Sequence, residues 1–190
     1  MIPIGAPERS WGSSTRPASR AAAGPGHVEL RPYSDEHLPL TQALELDPEV
    51  MRELGGPADP DGVLEAHRRR VRSVADGDWW YAIVPESAAP PVGTIGIWPS
   101  DVRGETLHEI GWMVLPDHQG RGIASEALGI LLARARSDPR FERIHAFPGV
   151  SNIPSNALCR RFGFVRTEEL GVAFRGRPLR VNHWELDVSD

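Results

Sequence analysis

The sequence predicts a mixed α+β fold: a central, mostly antiparallel sheet with one parallel strand pair and flanking helices. Three observations carry that prediction. Residues 107–147 run strand, turn, amphipathic helix, strand, a βαβ crossover whose two strands have to lie parallel. Residues 79–84, 93–98 and 106–115 are three strand-like runs joined by turns rich in Pro, Gly and Asp. Two more such runs, 164–169 and 181–188, close the chain as a hairpin.

The remaining elements follow in order. Residues 28–32 read as a strand, and 34–45 as a helix with Ser34 as its N-cap. A short second helix is expected over 48–54, ended by Gly55-Gly56-Pro57 and a turn at Asp59-Pro60-Asp61-Gly62. Over 63–74, Leu64, His67, Val71 and Val74 share one helix face, and Arg68, Arg69, Arg70 and Arg72 fall largely on the other. No aromatic residues interleave with that Arg run, so it reads as a solvated face rather than a nucleic-acid surface. Ala124, Ala127, Leu128, Leu131, Leu132 and Ala135 recur at helical spacing and define the helix of 125–136, before a strand at 143–147.

Residues 1–27 are dense in Pro, Gly, Ala and Ser, with Trp11 as their only aromatic residue. They are expected to form a disordered extension to a domain spanning 28–190, because so little apolar surface cannot offset the entropy of ordering. They contain no apolar run of the kind a secretory signal needs. With 190 residues, 40% of them hydrophobic, the chain holds one domain's core. No apolar run reaches the ~18 residues that span a bilayer, so no membrane role is expected. The net charge of −5 argues against nucleic acid as a partner. The single cysteine excludes an internal disulfide and fits a cytoplasmic protein. All 21 basic side chains are Arg, which removes any lysine nucleophile. The seven histidines show no ligand spacing with Cys or carboxylates, so no metal is expected.

Function is written most densely at Gln119-Gly120-Arg121-Gly122-Ile123-Ala124, between the strand of 107–115 and the helix that begins at Ser125. Strand, glycine turn and helix start in that order leave unpaired backbone N–H groups at the positive end of a helix dipole, a receptor for phosphate oxygens. The spacing fits neither a dinucleotide fingerprint nor a P-loop. A second cluster lies downstream, from Asn152-Ile153-Pro154-Ser155-Asn156 through Cys159 to Phe162-Gly163-Phe164.

Together these segments resemble the GNAT N-acetyltransferase superfamily. Gln119, Gly122 and Ala124 fill the three defined positions of its pyrophosphate loop, [RQ]-x-x-G-x-[GA]. The run from Asn152 to Phe164 matches its second motif except that Cys159 replaces a Tyr. Leu30-Arg31-Pro32, Asp47-Pro48-Glu49-Val50-Met51, Arg175-Gly176-Arg177-Pro178 and Trp184-Glu185-Leu186-Asp187 look like the RimJ/RimL-like branch, so the resemblance covers 28–190. It implies a fold in which the parallel pair splays and acetyl-CoA lies in the V between the two strands. Carried over, the acetyl-CoA site is Met113, Val114 and Leu115, the loop residues Gln119, Gly120, Arg121, Gly122, Ile123, Ala124 and Ser125, and Asn152 and Asn156. Asn152 either holds pantetheine or caps the following helix.

The resemblance implies direct acetyl transfer to a primary amine: a protein N-terminus, an aminoglycoside-like compound or a small metabolite. Such a reaction needs a base for the ammonium, donors for the oxyanion and a proton for the thiolate. Val114 is the expected oxyanion donor. Glu109 is the candidate base, or else a structural carboxylate; neighbouring His108 points to the opposite face of its strand. Cys159 is either the acid or an inert core thiol. The alternative reading is a catalytically silent acetyl-CoA-binding regulatory module. The expected assembly is a monomer or a homodimer.

Overall fold

The computed structural model describes residues 28–85 and 90–189. The extension expected over 1–27 lies outside them. Strand β1 (Val28–Pro32) leads into a 3-10 turn, Asp35–His37, and helix α1 (Leu38–Glu45). The single helix expected from residue 34 is therefore split. The Ser34 amide donates to His37 Nδ1 at 3.0 Å, and that local bond holds a tighter first turn. Over 48–54 only Arg52–Leu54 is helical, as a 3-10 turn. Asp47 Oδ1 accepts from the amides of Glu49 and Val50, and Gly55 at φ +84 ends the segment before a full turn can form.

Helix α2 (Pro60–Ala75) starts earlier than its apolar periodicity, because Asp59 caps Gly62 and Pro60 sits in the first turn. Its buried face is Val63, Ala66, His67 and Arg70. Arg70 thus turns inward, contrary to the all-solvated Arg face that the run suggested: it lies one turn beyond Ala66 and has the Glu45 carboxylate to meet.

Seven strands form one sheet in the order β1-β2-β3-β4-β5-β7-β6. They are β2 (Trp79–Pro85), β3 (Gly93–Val102), β4 (Glu105–Val114), β5 (Arg143–Ala146), β6 (Val165–Phe174) and β7 (Arg177–Asp187). Two-residue turns close the β3–β4 and β6–β7 hairpins, with Arg103-Gly104 and Arg175-Gly176 all at positive φ. That is the type I′ geometry matching strand twist, and it lets pairing run closer to the tips than the apolar runs suggested.

All neighbouring strands are antiparallel except β4 and β5, which pair in parallel at one position, Glu109 opposite His145. Helix α3 (Ile123–Arg136) makes the crossover between them, and α4 (Ile153–Arg161) follows β5. The face under α3 and α4 carries the main core, with Leu128, Leu131, Leu132, Ile95, Ile110 and Ile144 fully buried. A second cluster packs Leu40, Leu44 and Tyr33 with Val71, Trp80 and Met113 beneath α1 and α2. No described helix is long and apolar enough to cross a membrane.

Candidate functional site

The site begins where β4 and β5 part. Beyond Glu109 and His145 the two strands share no further pairing, which leaves a gap walled by the rest of β4. Peptide groups alternate sides along a strand, so only every second residue of β4 faces that gap. The Leu115 amide donates to the Val92 carbonyl at 2.9 Å, on the β3 side. The Met113 carbonyl also lies against β3, 2.5 Å from where a Gly93 Cβ would be. Val114 and Trp112 must then point their N–H groups into the gap. Of the three residues expected along β4, Val114 turns its N–H to the gap, and Trp112 shares that side. The peptide groups of Met113 and Leu115 face the β3 side instead.

At the end of β4 the loop turns under Gly120 and Gly122, at φ +69 and +80. Gly122 is the N-cap of α3 and has no side chain to bond the first turn. The backbone N–H groups of Gly120, Arg121, Gly122, Ile123, Ala124 and Ser125 consequently find no acceptor among the described residues. Six donors thus gather at the positive end of a 14-residue helix, an arrangement suited to a polyanion. Gln119 supports this receptor rather than joining it: its Nε2 donates to the Val114 carbonyl at 2.9 Å and ties loop to strand.

The second motif is structural in its polar contacts. Asn152 caps α4, its Oδ1 accepting from the Ser155 amide at 3.1 Å. Asn156 Nδ2 donates to the Gly149 and Asn152 carbonyls, and its Oδ1 accepts from Asn182 Nδ2 and Trp184 Nε1. All four positions of that amide are filled internally, and it fixes the β5–α4 loop beside the gap. Cys159 is fully enclosed in the core under α4, and burial pushes its thiol up to about 12. A thiol so placed packs and holds its proton.

On the α1/α2 face, one row of paired residues crosses four strands: Trp98, Glu109, His145 and Glu185. Burial raises the Glu109 carboxyl above its usual range, with a hydrogen bond from Ser100 working the other way. Trp98 stacks on Trp80 with ring centroids 4.4 Å apart, and Arg70 lies over Trp80. Both indoles lie flat because Gly96 and Gly111 beneath them lack a Cβ, which would fall within 2.8 Å of a ring. His145 Nδ1 and His183 Nε2 are 2.9 Å apart, and burial lowers both imidazoles, keeping them neutral. His108 faces away, edge-on to Phe141. Sequence spacing showed none of this row except Glu109, since only sheet register brings the strands together.

The β6–β7 hairpin tip reaches over to α1 and α2. Arg175 bonds Glu45, which also holds Arg70, and Arg177 donates to the Gly55 carbonyl. Bounded by the Arg52–Leu54 turn, the β5–α4 loop and strands β6 and β7, a groove of about 440 Å³ is lined by Arg52, Glu53, Ser151, Glu169 and Arg180. A larger hollow by Ile130, Arg134 and Asp138 sits at the far end of α3 and contains none of these groups.

The family model described as acetyltransferase (GNAT) domain matches residues 27–165. The chain is 36% identical over 63 residues to the uncharacterized N-acetyltransferase YnaD of Bacillus subtilis (strain 168), 33% of this chain and 37% of that protein. The match thus spans little more than a third of that relative. Spermidine N-acetyltransferase from Vibrio cholerae, solved with CoA and spermine, superposes with a TM-score of 0.70 at 18% identity, over 86% of this chain and 96% of that one. An acetyltransferase from Salmonella typhimurium that modifies the N-terminal serine of ribosomal protein L7/L12 gives 0.67 at 19%, over 85% and 95%. At these identities the likeness is one of fold.

Proposed function

The chain belongs to the GNAT acetyltransferase family, and from that premise we propose that it moves the acetyl group of acetyl-CoA directly to a primary amine held on the α1/α2 face. The observation that carries this reading is the continuity of two donor sets: six unpaired amides over 120–125 at one end of the gap, and the inward N–H groups of Val114 and Trp112 along it. The first set suits the pyrophosphate, and the second suits the pantetheine arm and the thioester oxygen.

In this mechanism Val114 N–H bonds the thioester oxygen and strengthens that bond as the carbon becomes tetrahedral. Glu109 takes a proton from the acceptor ammonium, directly or through one water, and its raised pKa brings it toward the working pH. The freed amine attacks, the adduct nitrogen gives up its extra proton to water, and the intermediate collapses as the C–S bond breaks and the CoA thiolate leaves. The proton for that thiolate comes from water or the solvent-exposed end of the gap, because Cys159 is enclosed. Gln119, Asn152 and Asn156 act as positioning residues for the loop and for α4.

Glu53 and Glu169 line the groove, each set against an arginine, Arg52 and Arg180, so the lining is mixed in charge and the amine class rests on the chemistry of the family. The two fold relatives that act on spermidine and on an N-terminal serine are both amine acetylators and support the same class, on the RimJ/RimL-like side of the family. We place the reaction in the cytoplasm, which the lone, reduced Cys159 suits.

Thiol release from acetyl-CoA, measured over polyamines, aminoglycosides and peptides with free N-termini and checked by product mass, tests the proposal. Acetylation of the amine nitrogen in one class is the expected result. Tight acetyl-CoA binding with no release in any class would instead identify a silent binding module.

A further inference from the structure

We propose that His145, His183 and Glu185 form a binding site for one divalent transition-metal cation of the zinc class, distinct from the acetyl-CoA gap. The three residues come from β5 and β7, and their facing atoms are His145 Nδ1, His183 Nε2 and Glu185 Oε1. The separations are 2.9 Å between the nitrogens, 3.6 Å from His183 to the carboxylate oxygen and 4.0 Å from His145 to it. A hydrogen bond accounts for the two nitrogens alone and leaves the carboxylate unexplained. The carboxylate oxygen faces both nitrogens and is beyond hydrogen-bond reach of either.

An ion explains it. A triangle with those sides has a point in its own plane about 2.1 Å from every corner, which matches the Zn–N and Zn–O bond length and leaves both sides of that plane open. Two imidazoles and one carboxylate are also the donor set of open three-ligand sites, in which the remaining positions take water. The ligands are held in place before any ion arrives. His183 stacks on Phe147 with centroids 4.7 Å apart, and Arg143 lies 3.8 Å from the other Glu185 oxygen, leaving Oε1 to face the histidines. Both imidazoles are buried, and the Glu185 side chain is 29% exposed, so an ion has an approach from the solvent side of the carboxylate.

The site would sit beside the acceptor floor, since His145 is the strand partner of Glu109. A filled site would place net positive charge there and oppose an ammonium acceptor. The site itself stands on the three ligands, whatever the acceptor proves to be.

The test uses the untagged, chelator-treated full chain, titrated with Zn²⁺ by calorimetry and with Co²⁺ by visible absorption. The expected result is one ion per chain, with visible Co²⁺ bands that saturate at that stoichiometry. Glu185→Gln and His183→Asn should each weaken binding by at least about 100-fold, beyond what loss of an outer-shell contact produces, while His118→Ala leaves it unchanged. Absence of stoichiometric binding would overturn the proposal. So would equal affinity in Glu185→Gln, which would leave the nitrogen pair as a hydrogen bond and send the ion elsewhere. Should His183→Asn fail to fold, Glu185→Gln alone decides, because its side chain is partly solvent-exposed.

Discussion

A carboxyl whose pKa burial raises weakens the fold at neutral pH, and Glu109 is in that position. The unfolded chain releases this proton near pH ~4.3, whereas the folded chain holds it to higher pH. The stability the protonated group contributes is full below the unfolded value and is lost as pH rises through the folded one. Glu109→Gln cannot ionise, so at pH 7 to 8 it should melt higher than wild type, by thermal denaturation, and show less loss of stability with rising pH. Its rate should fall about 10²–10⁴-fold, with acetyl-CoA affinity little changed and partial recovery at high pH, where amines lose their protons unaided. A higher rate or a lower melting point would return Glu109 to a structural role. Cys159→Ala should leave the rate within about tenfold of wild type and cost stability, about 1 kcal/mol by denaturant unfolding, as a buried sulfur is lost. A dead Cys159→Ala with normal folding would make that thiol the acid after all.

At the scale of elements, the proposed phosphate loop depends on backbone conformation more than on side chains. Nothing lies within 4 Å of a Cβ built on Gly122, yet φ +80 is a region that a β-branched residue occupies only under strain. Gly122→Val should therefore reorient the N-terminal amides of α3 and weaken CoA binding by at least about tenfold by calorimetry, a loss of about 1.4 kcal/mol. Unchanged affinity would show that the anion binds elsewhere. This loop was legible in the sequence because everything it needs is local: a strand, two glycines and a helix start. The strand order around it was partly legible for the same reason, since tight turns and one crossover allow few alternatives. What stayed hidden depends on register or rotation. Met113 and Val114 are adjacent in sequence, and only the bond from Leu115 to Val92 reveals which of them faces the gap. Asn156 occupies its motif position, but its four partners lie in the β5–α4 loop and on β7. Arg70 sat in an Arg run whose periodicity, read from Val63, turns it inward.

Among the described residues, an ionic knot of Arg70–Glu45–Arg175 crosses the proposed acceptor side and links α2, α1 and the β6–β7 tip. Glu45 is 1% exposed and Arg70 5%, so removing the carboxylate strands a buried charge. Glu45→Ala should cost about 3–5 kcal/mol by denaturant unfolding. Arg175→Ala leaves the Glu45–Arg70 pair intact, and should raise the acceptor KM more than the acetyl-CoA KM by freeing the hairpin tip; equal changes in both would sever the tip from acceptor binding. The central claim is that the parting of β4 and β5 makes the acetyl-CoA site, and a crystal structure with a non-hydrolysable acetyl-CoA analogue tests it most directly. The account predicts the pyrophosphate on the amides of residues 120–125 and the thioester-equivalent oxygen within hydrogen-bond distance of Val114 N, with Glu109 facing the acetyl end. Density for the analogue outside the gap, or a Val114 amide that contacts nothing, would contradict it.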